Sequence, residues 1–423
     1  MRRIRTLFIV IALSNLLWTL GFRVWESLFN NFAVEDLSIS AGQIGLVQAI
    51  REVPGLVGFL VGMLALLLVE TRIAGLSLLL MGVGIFLTGG THSLPALIGA
   101  TLVMSTGFHF FYSSNASAVL LAVGPEEAPQ ALGRLNSLSS LAAVIGTLFI
   151  FATLEGWGYR TLFYVTGAAV VLGGLVLLPL ARQPRPARTR RQGMSLRRRY
   201  WLYYALQFLY GSRRHIFTTF AVYLLVRQYH VTAQTITLLF LINNLIGTYF
   251  NQAFGQIVAR HGERRVLTVN FILLALIFIG YAFVPDVSGL TGPTFVLPPL
   301  QLRGWVLFPS LPVTPALLVL VVLFVADNVL VGFSMALECY LQKIALGAEE
   351  ITPNVALGQT FNHVAAVIVP VVGGVMWESV GPQATFLAGV LIALAALALT
   401  QGMRVGQPAR GSCPLPVRPP LRR

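Results

Sequence analysis

Apolar runs as long as a bilayer is thick recur along the whole chain, at 6–33, 42–69, 73–90, 95–122, 136–154, 161–180, 200–226, 233–258, 266–284, 315–343, 359–377 and 384–402. A hydrocarbon core of about 30 Å takes roughly 20 apolar residues per helical crossing, whereas a barrel strand takes only about 10. Inside lipid every backbone N–H and C=O must find a partner within the protein, so runs of this length fold as helices. Only 10% of the 423 residues are charged, against about 25% in soluble domains. The chain is therefore expected to be an all-α polytopic membrane protein with twelve transmembrane helices.

The positive charge is informative through its placement. A net charge of +14 would point to nucleic acid in a soluble chain; in a membrane protein Lys and Arg mark the cytoplasmic side, and no nucleic-acid partner is expected. With the N-terminus inside, that side holds 22 of the 29 basic residues: Arg2, Arg3, Arg5, Arg72, Arg134, eight arginines from Arg182 to Arg199, Arg260, Arg264, Arg265, Lys343, and five after residue 403. Arg160, Arg227 and Arg303 fall outside, and Arg23, Arg51, Arg213 and Arg214 fall within apolar runs. Both termini are thus expected to be cytoplasmic, at an inner (plasma) membrane. The segment 182–199 reads as a cytoplasmic linker, with contact to anionic lipid as a further reading. Residues 403–423 read as a basic, proline-rich tail. Tyr200, Trp201, Tyr203 and Tyr204 suit an interfacial aromatic belt.

The opening Met-Arg-Arg-Ile-Arg and its apolar run resemble a secretory signal. The run passes residue 30 without a small-residue cleavage site and contains Arg23 and Glu26, so it reads as a retained first helix. Cys339 lies in an apolar run and Cys413 in the tail, which gives no disulfide framework and no metal motif. HExxH, GxSxG and a His/Asp acyl-transfer motif are missing, so no enzyme, no cofactor and no metal are expected. Residues 285–314 carry prolines 285, 293, 298, 299, 309 and 312. Proline this dense precludes a spanning helix, which places the segment outside the membrane on the external face. Asn115-Ala-Ser117 matches a glycosylation sequon but lies within an apolar run and is discarded.

The halves repeat each other. Residues 39–58 align without gaps with 231–250 at an offset of 192, with Ala41, Ile44, Leu46, Ile50 and Gly55 identical. GPEEAPQALGRLN (124–136) matches GAEEITPNVALGQTFN (347–362), and Glu155-x-x-Gly158-x-x-x-x-Phe163 returns as Glu378-x-x-Gly381-x-x-x-x-Phe386. Three matches in one order give a six-plus-six chain: a bundle at 1–181, the arginine-rich linker, and a second bundle at 200–402. In this the whole chain resembles the major facilitator superfamily. Gly255-Gln-Ile-Val-Ala-Arg260-His-Gly262-Glu-Arg264-Arg265 is similar to that family's G-x-x-x-D-R-x-G-R-R loop, with Ala259 in place of the acid. The resemblance implies two pseudo-symmetric bundles rocking about a site near the midplane. Helices 1, 4, 7 and 10 then line the cavity, 2, 5, 8 and 11 flank it, and 3, 6, 9 and 12 face lipid.

A charge at the bilayer centre costs about 2.5–3.5 kcal/mol even on permissive insertion scales, so each such residue needs a partner or water. The census finds Arg23 and Glu26 in helix 1, Arg51 and Glu52 in helix 2, and His109 in helix 4. It finds Arg213, Arg214 and His215 in helix 7, Asp327 and Glu338 in helix 10, and no such residue in helices 3, 6, 9 and 12. Arg23 and Glu26, three apart, share a face. Arg23, Glu26, His109, Tyr112, Arg213, Arg214, His215 and Asp327 are the candidate substrate contacts. A guanidinium fork suits phosphate or carboxylate, as in the organophosphate:phosphate antiporters of the family. The other reading of Arg213 and Arg214 is a permanent ion pair with Asp327 or Glu338. Asp327, Glu26 and Glu52 are the candidate proton carriers, with Asp327 first. Ser334 and Glu338 follow Asp327 at +7 and +11, on the same face of a regular helix. Arg51, Asn243, Asn244, Glu338, Gly255, Arg260, Gly262 and Arg264 are assigned to packing and gating.

These residues lead to a secondary transporter of a small polar, anionic solute, working by rocker-switch alternating access with proton coupling. A proton-coupled exporter of a cationic or amphipathic compound is the rival within transport, and a non-transporting receptor or assembly factor is the rival class. The partners expected are a small-molecule or ion substrate and the bilayer, with the chain acting as a monomer.

Overall fold

The computed structural model describes residues 2–39, 41–180, 196–290, 292, 295–302, 305–308 and 310–404. Eight helical stretches among them are long and apolar enough to cross a membrane, by length and composition. The first half holds α1 (Arg2–Glu35), α2 (Ala41–Leu56), α3 (Leu60–Leu64), α4 (Glu70–Gly89), α5 (Leu94–Ala122) and α6 (Ala128–Leu177). The second holds α7 (Trp201–Ile216), α8 (Val222–Tyr229), α9 (Ala233–His261), α10 (Glu263–Phe283), α11 (Pro315–Leu330), α12 (Met335–Ile344), α13 (Ile351–Ser379) and α14 (Pro382–Thr400). The end of the molecule that carries residues 180 and 196 is called the linker face below, and the opposite end the far face.

Several helices differ from the apolar runs that foretold them. The run 42–69 is not one helix. Pro54 lies inside α2 and lacks an N–H, so the helix weakens there, and residues 57–59 form a turn before α3 begins. The runs 136–154 and 161–180 are two helices, carried together under the label α6, that meet at Gly158, whose φ of 70° and ψ of 171° are not helical. The equivalent glycine of the repeat, Gly381, takes φ 121° and ψ 169° between α13 and α14. Only glycine adopts such angles without strain, so the repeated Glu-x-x-Gly motif marks one backbone corner in each half. α6 and α13 also start about two turns before their apolar runs, because hydropathy finds the lipid-facing part of a helix and not its ends. Glu126, Glu127, Glu349 and Glu350 precede those two starts, where carboxylates complement the helix dipole.

The proline-rich segment forms no helix long enough to span, as expected, but it is not shapeless. It builds β1 (Phe295–Leu297), β2 (Leu300–Leu302), β3 (Trp305–Phe308) and β4 (Leu311–Val313). β1 pairs antiparallel with β4, Phe295 opposite Val313, and β2 with β3, so one hairpin nests in the other. Pro298 and Pro299 fall between β1 and β2, where no ladder N–H is needed. The arginines 182–191, most of the tail including Cys413, and Arg303 lie outside the described residues, so the lipid reading of the linker is carried there only by Arg197–Arg199. Of these, Arg197 ion-pairs with Glu350, and Arg199 donates to the Ile344 carbonyl at 2.9 Å. Cys339 is buried.

Among the described residues there are two large apolar cores, one within the first half and one in the second half that extends across to Leu120 and Leu132 of the first. Trp25, Phe29, Phe32 and Phe163 centre the first, and Phe217, Phe271, Phe278 and Tyr281 the second. The halves meet at the linker face. There α6 runs along α9 with Gly133 facing Gly255: a Cβ on Gly255 would lie 2.3 Å from the Pro129 carbonyl oxygen, and one on Gly133 2.6 Å from that of Asn251. The Gln252 amide donates to Ser137 Oγ at 3.0 Å. On the pseudo-equivalent side the Phe59 amide donates to Thr360 Oγ1 at 3.1 Å, and Thr352 Oγ1 to the buried Glu70 at 2.9 Å. Gln342 donates to the Leu120 and Val123 carbonyls. The loop read as a gate thus contributes Gly255 by close packing and Gly262 by a φ of 78° before α10. Arg260 is exposed, Arg264 reaches Gln401 at 3.3 Å, and Glu263 ion-pairs with Lys343 at 2.8 Å.

The second half is pinned inside by an ion pair. Arg213 of α7, fully buried, binds Asp327 of α11, and its guanidinium lies over the Tyr210 ring at 5.2 Å from the centroid. Of the two readings of this arginine, the structure shows the internal pair. Removing one member of a buried pair strands the other charge and costs about 3–5 kcal/mol, whereas replacing both with apolar groups is often neutral. Asp327→Ala is therefore expected to lower thermal stability sharply in detergent, and Arg213→Met combined with Asp327→Leu to recover most of the loss. Gly255→Val is expected to prise the linker face open. In a background without Cys339 and Cys413, a cysteine at Ser139 is then expected to react with an impermeant maleimide from the linker side, and to stay unlabelled from that side with Gly255 present.

Candidate functional site

Between the halves lies a cavity of about 850 Å³. Its floor is the sealed linker face, and its walls climb past Glu26, Gln48 and Val371 toward the far face. α1, α2, α5, α6, α7, α9, α12 and α13 supply the lining, and none of it comes from α4, α10 or α14. The runs at 73–90, 161–180, 266–284 and 384–402, which hold no charged residue or histidine, stay out of the cavity; those at 136–154 and 233–258 hold none either but contribute Ser139, Ser140, Ala143 and Asn244 to its wall.

One wall is aromatic. Trp18 stacks on Phe108 with centroids 4.8 Å apart, Phe22 on Phe108 at 4.1 Å, and the Trp18 indole N–H donates to the Phe108 carbonyl at 3.2 Å. Above them Arg23 and Glu26 form the anticipated i,i+3 pair at 2.7 Å, both about two-fifths exposed. Tyr112 and Ser113 line the same wall.

The second wall is built where α2 weakens at Pro54. Arg51 donates to Glu52 Oε1 from Nη2 at 2.9 Å and from Nε at 3.2 Å. The other carboxylate oxygen, Oε2, lies 3.2 Å from Nδ1 of His363 and 3.8 Å from Nε2 of His109. The two imidazoles meet edge to face at 4.4 Å. His363 comes from the second half and was missed by the sequence reading. The signal was available: it is the one ionisable residue in the run 359–377. Gly55 makes its place, since a Cβ there would lie 2.6 Å from the imidazole.

α7 gives way to a π-helical turn, Phe217–Ala221, a distortion found often at functional sites. Arg214, His215, Thr218 and Thr219 face the cavity around it. On helix 10 a 3-10 segment, Val331–Ser334, separates α11 from α12. A 3-10 turn advances 120° per residue instead of 100°, so four such residues rotate the downstream helix by about 80°. Ser334 and Glu338 consequently reach the cavity while Asp327 does not. The +7/+11 face expected of a regular helix is broken by that twist. Arg213 and Asp327 therefore lie behind the wall, and the other candidate substrate contacts lie in it. Asn244 lines the cavity; Asn243 does not, and its amide is buried without a hydrogen-bond partner among the described residues. Glu338 also lines a smaller cavity of about 90 Å³ toward the linker face with Asn15, Asn115, Asn136 and Ser139. Asn115 donates to Asn15 at 3.4 Å, inside the bundle, in keeping with the rejected sequon.

The charges sort simply. Arg23 is held by Glu26, and Arg51 by Glu52. Arg214 and Glu338 line the cavity with no ion-pair partner among the described residues.

The fold has many solved counterparts. The human organic anion transporter MFSD10 (TETRAN) superimposes with a TM-score of 0.70 at 14% identity, over 94% of this chain and 99% of that one. The Major Facilitator Superfamily transporter FucP, in the outward conformation, gives 0.71 at 13%, over 94% and 98%. The E. coli fucose:proton symporter FucP, in a variant form, gives 0.70 at 12%, over 94% and 98%. At these identities the likeness is one of fold. No curated protein matches the sequence. The sequence model of the Major Facilitator Superfamily matches residues 7–337, and with the repeat, the two packed halves and the cavity between them, the chain belongs to that superfamily.

Proposed function

We propose that this protein is a secondary transporter that carries a small organic anion across the membrane by rocker-switch alternating access. The observation that carries the reading is Arg214: an arginine in the cavity wall with no ion-pair partner among the described residues. A guanidinium left without a counter-charge in a cavity wall attracts a carboxylate or phosphate by charge-assisted and often bidentate bonds. The shelf of Trp18, Phe22 and Phe108 in the same cavity suits an apolar or aromatic body on the same solute. The rival cationic exporter needs free acids, and with Glu26 and Glu52 each taken by a neighbouring arginine it is left with Glu338 among the cavity acids. The sealed linker face and the cavity reaching toward the far face correspond to the outward-facing half of a transport cycle. With Asp327 held by Arg213, Glu338 becomes the first choice for carrying a proton and Glu26 the second. The topology accompanying this reading has twelve crossings in one monomer of a plasma membrane, with linker and termini cytoplasmic.

The test is ligand-induced thermal stabilisation of the purified chain by panels of organic anions and cations, followed by flux in proteoliposomes. Anions are expected to stabilise the parent, and Arg214→Ala to weaken that response at least tenfold without lowering the ligand-free melting temperature. Stabilisation by cations alone, or an unchanged Arg214→Ala, overturns the anion reading. Glu338→Gln is expected to abolish uptake driven by a proton gradient while sparing solute exchange. Binding without flux of any anion that binds would favour a receptor.

A further inference from the structure

The cluster of Glu52, His109 and His363 has the donor set and spacing of a metal site. One ligand atom from each lies within 4.8 Å of the others. A tetrahedral zinc ion with bonds of about 2.0–2.2 Å holds its ligands roughly 3.3–3.5 Å apart. Glu52 Oε2 already lies 3.2 Å from His363 Nδ1 and 3.8 Å from His109 Nε2, so side-chain adjustments of about an ångström would complete the set.

The surroundings hold these groups as an outer shell holds ligands. His109 Nδ1 lies 2.8 Å from the Ser105 carbonyl oxygen, which can only accept, so Nδ1 carries the proton and Nε2 presents its lone pair to the cluster. Metal-bound imidazoles are oriented by such a bond from the other ring nitrogen. The Ser105 hydroxyl in turn donates to the Arg51 carbonyl. Arg51 occupies Oε1 of Glu52 and leaves Oε2 to the histidines. All three side chains line the main cavity, so a cation can reach them and keep a position for water or solute.

We propose that Glu52, His109 and His363 bind a divalent transition cation of the zinc class, and that the bound ion ties the two halves together. Two imidazoles and one carboxylate form a recognised zinc set, and imidazole disfavours the hard ions Mg²⁺ and Ca²⁺, which take oxygen ligands. Glu52 and His109 belong to the first half and His363 to the second. An ion held by all three resists any movement that separates α13 from α2 and α5. The guanidinium groups of Arg51 and Arg214 stand against the cation and set a limit on its affinity.

The experiment is calorimetric titration of the untagged, metal-stripped full chain with Zn²⁺, and with Mg²⁺ as counter-probe. One Zn²⁺ per chain is expected, with no response to Mg²⁺. His363→Ala and His109→Ala are each expected to weaken Zn²⁺ binding at least tenfold, Arg51→Gln to strengthen it, and alanine at the exposed His92 to leave it unchanged. His363→Asn serves if the alanine variant misfolds, with metal-free melting curves checking each variant. Zn²⁺ binding that survives loss of His363, or that Mg²⁺ matches, overturns the proposal. The titration needs no transport activity, so its failure leaves the transporter reading standing.

Discussion

Charge in hydrocarbon is the constraint on which the rest of this molecule depends. An arginine or glutamate buried among lipid-facing helices is tolerated only where another charge or water meets it. The chain answers in both ways. Arg213 and Asp327 neutralise each other behind the wall of the second bundle. The remaining in-membrane charges gather on one aqueous cavity between the halves. The cavity is therefore the reason those charges can exist, and the charges are the reason the bundles leave space between them.

Irregular backbone aims the groups at that space. Pro54 with the turn after it, the π-turn after Arg214 and the 3-10 segment before Glu338 interrupt three of the cavity-lining helices near their middles. In lipid such breaks survive only where protein or water satisfies the freed backbone groups. They are accordingly found on segments that line the cavity, while α4, α10 and α14 run unbroken outside it.

Closure follows a different physics from the cavity. The linker face is shut by small residues and by neutral or singly charged hydrogen bonds: Gly133 on Gly255, Thr352 on Glu70, Gln342 on two carbonyls. Membrane helices gain little from apolar contact with one another and rely on close approach and interhelical hydrogen bonds. Bonds of this kind can be exchanged for bonds to water without stranding a charge, which suits an interface that must come apart. The one link between halves inside the cavity that involves a full charge is Glu52 with His363, among those described.

Hydropathy, the arginine pattern and the internal repeat were enough to place the chain among helical membrane proteins with two like halves. These are one-dimensional properties, set by the thickness of a bilayer and the length of a helical turn, and they need no coordinates. The Arg23–Glu26 pair was equally legible, because partners three apart on one helix are local. Which of two adjacent arginines meets the cavity was not. Arg213 and Arg214 differ by 100° of helix rotation, and only the packing of α7 against α11 decides that the first is buried and the second is not. Asp327 and Glu338 exchanged places for a similar reason: a four-residue 3-10 segment, with no clear mark in the sequence, turned one toward Arg213 and the other toward the solute path. His363 reached Glu52 from 311 positions away, a distance that only the meeting of two folded halves removes. Composition and periodicity decide what a residue can afford to touch; tertiary structure decides what it does touch, because contact across helices depends on rotations of a fraction of a turn that accumulate along each one.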